Sequence, residues 1–149
     1  MSFHEHVSCI CRSSFYHLRN QSRIRKDLIK ESAELAIHAF VTSKLDYCNA
    51  LLYSPPKYQL QRLQYIQNTA ARVGLEVSKS HHITPVLCEL HRLPIHFCII
   101  FKIMLLVYKS LNGISPSYLA QKQHYRSHTR SLRSVGNELL MQPGSYTRT

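Results

Sequence analysis

Residues that interrupt regular structure are scarce in this sequence. It has four glycines and six prolines among 149 residues, and it sustains no alternation of apolar and polar residues. Few breakers and no alternation argue against a sheet and predict an all-α fold. Hydrophobic residues make up 44% and charged residues 18% of the chain, which excludes wholesale disorder. A chain of this length is expected to bury one modest core.

Acidic residues are also scarce. There are 8 Asp and Glu against 19 Lys and Arg, which gives a formal charge of +11 before any of the 10 histidines is protonated. Such an excess favours an anionic partner, most often nucleic acid. A merely basic, solvated surface is the alternative. The positive charge is densest toward the two ends, in residues 1–30 and 122–149.

The sequence also lacks the signs of secretion or of a membrane span. Its N-terminus has no basic segment followed by an apolar one, and the most apolar stretch, Ile95 to Leu111, falls short of the roughly 20 residues that a span needs. The cysteines are odd in number, so they cannot all pair: Cys9, Cys11, Cys48, Cys88 and Cys98. These features predict an intracellular protein, in nucleus or cytoplasm, with no membrane partner.

Apolar spacing and the few breakers divide the chain into an irregular bundle of about five helices. The first four predicted elements are a helix from His4 to Asn20, a basic connector from Ser22 to Ile29, a helix with Ser32 as N-cap that ends at Ser54, and a helix after Pro56. The remaining ones are a short helix with Thr84 as N-cap and Pro85 as first residue, a central core helix from Ile95 to Leu111 that ends at a left-handed Gly113, and a turn over 115–119. Residues 1–122 are predicted to form one domain and residues 123–149 a flexible basic tail.

The helix after Pro56 carries two stripes. One is apolar and is predicted to face the core: Leu60, Leu63, Ile66, Ala70 and Val73. The other follows steps of three, four and three and mixes two guanidiniums with an aromatic ring and a hydroxyl: Arg62, Tyr65, Thr69 and Arg72. The second stripe is the best surface candidate in the middle of the chain. Upstream, Asp46, Tyr47 and Asn49 are predicted to mark a helix junction.

Several short segments of the sequence occur in an order that is typical of one protein family. They are 15–20 (FYHLRN), 22–25 (SRIR), 39–52 (AFVTSKLDYCNALL), 63–64 (LQ), 67–72 (QNTAAR), 82–87 (HITPVL), 90–95 (LHRLPI), 101–102 (FK), 115–119 (SPSYL) and 130–134 (RSLRS). The series resembles the segment downstream of the catalytic palm in LINE-type reverse transcriptases, the polymerases of non-LTR retrotransposons. It covers roughly residues 15 to 134, and its most specific part is 45–52.

The resemblance implies a helical thumb and adjoining connection, which grips an RNA/DNA template-primer behind the active site and packs on the polymerase palm of the parent protein. Family members often have a tryptophan where Arg92 stands, and this sequence has none. The family pattern also continues past residue 149. Both departures indicate a diverged, truncated copy.

No catalytic or metal site is expected. Polymerases hold two Mg²⁺ ions with paired carboxylates, and no two acidic residues are adjacent here. His4, His6, Cys9 and Cys11 combine zinc-binding residue types, but their spacing is unlike that of paired zinc ligands. We therefore predict a chain that is not an enzyme and that needs no metal and no cofactor.

The predicted function is sequence-independent binding of nucleic acid through its backbone, because guanidinium groups match phosphate oxygens in shape and charge. The candidate residues are Arg19, Arg23, Arg25, Arg62, Tyr65, Arg72, Arg130 and Arg133. The alternative is a structural fragment that packs on the missing palm and has no activity of its own. For each arginine, a solvated surface position is the competing interpretation.

Overall fold

The structure, a computed structural model, describes residues 3–47, 49–53 and 56–121. This part of the chain contains helices and no strand, so the predicted all-α class is confirmed. Its α-helices are α1 (Phe3–Ile24), α2 (Lys30–Ile37), α3 (Ser43–Asp46), α4 (Lys57–Leu75), α5 (Ile83–Glu89), α6 (Ile95–Leu111) and α7 (Ser117–Ala120). The predicted tail over 123–149 lies outside the described residues. The chain divides into two compact units, Met1–Lys102 and Ile103–Thr149.

The core of the first unit lies between α1 and α4. Val7 on α1, Val41, and Leu63 and Ile66 on α4 are almost completely buried. The apolar stripe predicted for α4 is confirmed at its centre, where Leu63, Ile66 and Ala70 are buried, while its two end residues are only half-buried. The stripe therefore fixes which face of α4 packs inward and which face remains open.

The helix predicted from Ser32 to Ser54 is interrupted. It begins at Lys30, so Ser32 lies inside its first turn and the predicted N-cap is wrong. After α2 the backbone widens into a π-helical turn, His38–Thr42. The buried residues Ala33, Ile37, Val41 and Leu45 recur every four residues, which exceeds the 3.6 residues of an α-helical turn. A wider π turn restores the inward face when the apolar spacing drifts in this way.

The chain then ends α3 at Asp46 and becomes extended at Tyr47, before a 3₁₀ turn over Asn49–Leu52. The predicted junction at these residues is therefore confirmed in position. The buried Asn49 Oδ1 accepts no hydrogen bond from the described residues.

The start of α5 also differs from the prediction. Thr84 is not the N-cap, because the helix begins at Ile83 and the Nδ1 of His82 accepts a hydrogen bond from the Thr84 N–H at 3.4 Å. Pro85 still falls in the first turn, where its missing N–H costs nothing. At the other end, His91 adopts a left-handed conformation with φ of 51°.

Two glutamines of α4 hold the chain where α6 begins. The Oε1 of Gln64 accepts from the Ile95 N–H at 2.8 Å, and the Nε2 of Gln67 donates to the Leu93 carbonyl at 2.8 Å. The first N–H groups of a helix have no partner within it, so a side chain from a neighbouring helix serves here as a cap. Ile95 and Ile99 are buried beside this point.

Helix α6 does not form the centre of the core, contrary to the prediction. Within the first unit its Phe97 and Phe101 are 55% and 57% exposed. In the second unit the predicted left-handed C-cap is confirmed at Gly113, with φ of 69° and a hydrogen bond of 2.9 Å from the Ile114 N–H to the Lys109 carbonyl. No helix in the described ranges is long and apolar enough to cross a membrane.

Candidate nucleic-acid interface

Helices α1 and α4 lie side by side and run in the same direction. Contacts between them advance along both helices in the same order, from Ser8 with Arg62, through Phe15 with Tyr65, to Arg25 with Gly74. On the open side of this pair lie three cavities that share lining residues, and we call them together the α1/α4 cleft. The predicted surface stripe of α4 forms one wall of this cleft.

Two aromatic rings stand in the middle of the cleft. Phe15 and Tyr65 have ring centroids 6.0 Å apart and are tilted by 46°. They are 42% and 59% exposed, and Tyr16 and Tyr58 are exposed nearby. Apolar rings are usually covered in a folded protein, so a contiguous set left open on one cleft is a candidate contact surface.

Basic side chains surround the part of the cleft near the C-terminal end of α4. A cavity of about 520 Å³ is lined by Lys26 from the segment after α1, by Arg72 on α4 and by Lys79 from the connection to α5. Arg72 Nη2 donates to the His81 carbonyl at 3.4 Å, while its buried Nε has no hydrogen-bond partner among the described residues. Arg72 is half-buried in this lining, and a buried guanidinium N–H without an acceptor is costly.

Two further guanidiniums lie along the same groove. Arg19 lines the cavity that Phe15, Tyr16 and Lys79 also line. Arg62 lines the opposite end and donates to the Ser8 Oγ at 3.3 Å, a long contact on an exposed pair. Neither arginine forms an ion pair within the described part of the chain, so both charges face solvent unneutralised.

Arg25 has a different environment from the other candidates. Its side chain is only 11% exposed, and its guanidinium donates to the carbonyls of Val73, Gly74 and Leu28 at 2.8–3.1 Å. These carbonyls include two at the end of α4, where a helix leaves oxygens without partners. Arg25 therefore caps α4, and Glu76 lies 4.0 Å from its Nη2.

The remaining predicted residues fall into three groups. Thr69 uses its Oγ1 for the Tyr65 carbonyl of its own helix at 2.8 Å. Arg23 is exposed on α1 and does not line any of the three cavities of the cleft. Arg130 and Arg133 lie outside the described residues.

Sequence reasoning missed Phe15, Lys26 and Lys79. Phe15 could have been found, because it lies four residues before Arg19 and so shares a helix face with it. Lys79 could not, because it reaches the cleft only after the chain leaves α4 through a left-handed Glu76 with φ of 53°. The spacing of residues within one helix does not predict the path of the connection that follows it.

Histidine and cysteine residues do not gather into a metal site in the described part of the chain. Cys11 is buried at the narrow end of the cleft. Burial raises the pKa of its thiol, and the positive charge of Arg62 opposes that rise. A thiol with a raised pKa is a poor nucleophile and a poor metal ligand at neutral pH, so Cys11 acts as part of the packing.

Comparisons with protein-family models, with curated proteins and with solved structures find no match to this chain.

Proposed function

We propose that this chain is a non-catalytic, thumb-like module of a retrotransposon reverse transcriptase that binds nucleic acid through its phosphate backbone. The observation that carries the proposal is the α1/α4 cleft, in which Arg19, Arg62, Arg72, Lys26 and Lys79 surround one groove. The formal charge of +11 supports it, and the resemblance of residues 15–134 to the segment after the palm supplies the family context. The expected partner is an RNA/DNA template-primer, in which an unpaired template strand adjoins the hybrid duplex.

Binding of this kind depends steeply on salt. Each phosphate neutralised on a duplex contributes a slope of about −0.9 to the logarithm of affinity against the logarithm of salt concentration. Fluorescence anisotropy with a labelled RNA–DNA hybrid at several salt concentrations measures that slope. We expect micromolar affinity at low salt and a slope of several units. Absence of binding at low salt would overturn the proposal.

A charge-matched pair of variants separates the cleft from general attraction. R62A/R72A removes two guanidiniums of the cleft, and K102A/K109A removes two exposed lysines of α6. We expect the first pair to weaken binding about tenfold or more and to reduce the salt slope by about two, since each lost phosphate contact lowers the slope by about one. The second pair should change affinity only slightly. Equal losses would indicate a diffuse basic surface.

The second candidate function is a structural one, in which the chain packs against a polymerase palm. It is favoured by one observation, the exposure of Phe97 and Phe101 on α6 within the first unit. Exposed aromatic side chains of this kind bind hydrophobic dyes and promote association. Strong dye binding and concentration-dependent association, together with no affinity for nucleic acid, would favour this function over the first.

A further inference from the structure

The order of groups along the α1/α4 cleft alternates between cationic and aromatic. Arg62 precedes the Phe15/Tyr65 ring pair, and Arg72 follows it on the same helix. Arg62 and Arg72 are about 15 Å apart along α4, at about 1.5 Å of rise per residue. Tyr65 lines both the cavity that contains Arg62 and the cavity that contains Arg72. The rings therefore separate two cationic positions within one groove.

Exposed rings contribute little to the binding of a duplex. In a duplex the faces of the bases are covered by neighbouring bases, and the phosphates form the outer surface. An unpaired base has a free face, and proteins that bind single strands combine a cationic groove with aromatic rings on which such bases stack. The rings of Phe15, Tyr65 and Tyr58 thus distinguish the cleft from a purely cationic surface.

The charged side chains that line the cleft are positive, as the binding of phosphates requires, except for one carboxylate. The cavity near the C-terminal end of α4 is lined by Lys26, Arg72 and Lys79 and by one carboxylate, that of Glu76. Glu76 lies 4.0 Å from the guanidinium of Arg25, so its charge is partly balanced. Of the positive side chains in this lining, Lys26 and Lys79 are exposed and Arg72 is half-buried.

We propose that the α1/α4 cleft binds a single-stranded segment of RNA or DNA, with an unpaired base stacked on Tyr65 beside Phe15 and with its phosphates at Arg62 on one side and at Arg72 and Lys79 on the other. The inference rests on the proposed binding of nucleic acid and specifies its form. From Arg62 to the end of α4 at Leu75 the helix rises about 20 Å, the length of about six stacked nucleotides at ~3.4 Å each.

The test compares three partners for the whole chain in anisotropy titrations at one low salt concentration. The partners are an oligo(dT) and an oligo(U) of about twelve nucleotides, longer than the roughly six that the cleft spans, and a blunt RNA–DNA hybrid of the same length. We expect the single strands to bind more tightly than the hybrid. The ratio of the oligo(dT) and oligo(U) affinities shows whether DNA or RNA is preferred.

Two substitutions at Tyr65 then isolate the ring. Y65A should weaken binding of the single strands about tenfold and binding of the hybrid by a clearly smaller factor, whereas Y65F should bind like wild type because it keeps the stacking surface. Tyr65 is 59% exposed, so Y65A is expected to fold, which circular dichroism checks. Equal binding of strands and hybrid with no effect of Y65A would overturn this inference and leave the proposed backbone binding intact. Unchanged binding of every partner by R62A/R72A would instead overturn the proposed function.

Discussion

The guanidinium of Arg25 closes the C-terminal end of α4 by donating to the carbonyl of Gly74. Its Nη2 lies 2.9 Å and its Nε 3.1 Å from that oxygen, across a sequence separation of 49 residues. The Nε also reaches the Val73 carbonyl at 3.1 Å. Because the C-terminal carbonyls carry the negative end of the helix dipole, a buried cation is stabilised there. This contact joins the residue that directly follows α1 to the C-terminal end of α4.

R25K should lower the free energy of unfolding by about 1–3 kcal/mol, the usual contribution of hydrogen bonds to a charged donor. A lysine keeps the charge, but its single ammonium group lacks the planar, forked donors with which the guanidinium reaches several carbonyls at once. Urea denaturation followed by circular dichroism measures the loss. The matched control is R23K, at an exposed residue two positions earlier, which should change stability by less than about 0.5 kcal/mol. Equal effects would show that the cap contributes nothing measurable.

The different environment of Arg25 could not be predicted from the sequence. Arg23, Arg25 and Arg19 are the same residue type in one basic stretch, and only the tertiary structure separates them. Arg25 meets carbonyls that are 48 and 49 residues away, whereas Arg19 faces a cavity and Arg23 faces solvent. In contrast, the relation of Arg62, Tyr65 and Arg72 follows from helical periodicity within one element. Such local geometry is predictable, whereas contacts between distant elements are not.

The interruption between α2 and α3 follows the same reasoning. Each four-residue step from Ala33 to Leu45 is by itself compatible with an α-helix. Over three such steps, however, the small excess above 3.6 residues per turn adds up, and the last side chain would no longer point into the core. The sequence therefore predicted a helix over α2 and α3 but not the π-helical turn between them or the end at Asp46. The exposure of Phe97 and Phe101 could not be predicted either, because an apolar run alone does not show which of its faces is covered.

G74A should stabilise the protein more when Ile37 is first shortened. A Cβ at Gly74 would lie 3.2 Å from the Cδ1 of Ile37, which offsets the gain of up to ~1 kcal/mol expected for replacing glycine in a helix. I37V removes that methyl group at its own cost of about 0.5–1.5 kcal/mol. A double-mutant cycle of unfolding free energies should give a favourable coupling of about 0.5–1 kcal/mol. Strict additivity of the two substitutions would contradict a close contact between these residues.

H91G should raise stability. His91 is exposed, has a φ of 51° and follows α5, where the Arg92 N–H donates to the Leu87 carbonyl at 2.9 Å. A left-handed conformation costs a non-glycine residue roughly 1–2 kcal/mol, which glycine does not pay. Glycine is more flexible in the unfolded chain, and this flexibility reduces the gain in stability by about 0.5–1 kcal/mol. The expected net gain is about 0.5–1 kcal/mol in thermal or urea unfolding. Q61G, at an exposed position inside α4, should instead cost about 1 kcal/mol, and a similar loss in H91G would refute the prediction.

The stability of the first unit should fall as the pH drops below neutrality because of His17. Its ring stacks on Phe40 with centroids 5.2 Å apart. Burial, and in second place the charge of Lys44, lowers the pKa of His17 from its ordinary value of 6.5. The folded state thus prefers the neutral imidazole, and the unfolded chain takes up the proton first. Stability from this residue is complete above 6.5 and is lost as the pH falls from there toward the folded-state pKa.

Urea unfolding of wild type and of H17Q at pH 7.5 and at pH 5 measures this contribution. Wild type should lose more stability than H17Q between the two conditions, because glutamine has no proton to bind in this range. K44Q should reduce the difference only in part, since the charge of Lys44 is the smaller of the two causes. An NMR titration of the His17 ring gives an independent reading, and a pKa above 6.5 would reverse the sign of the prediction.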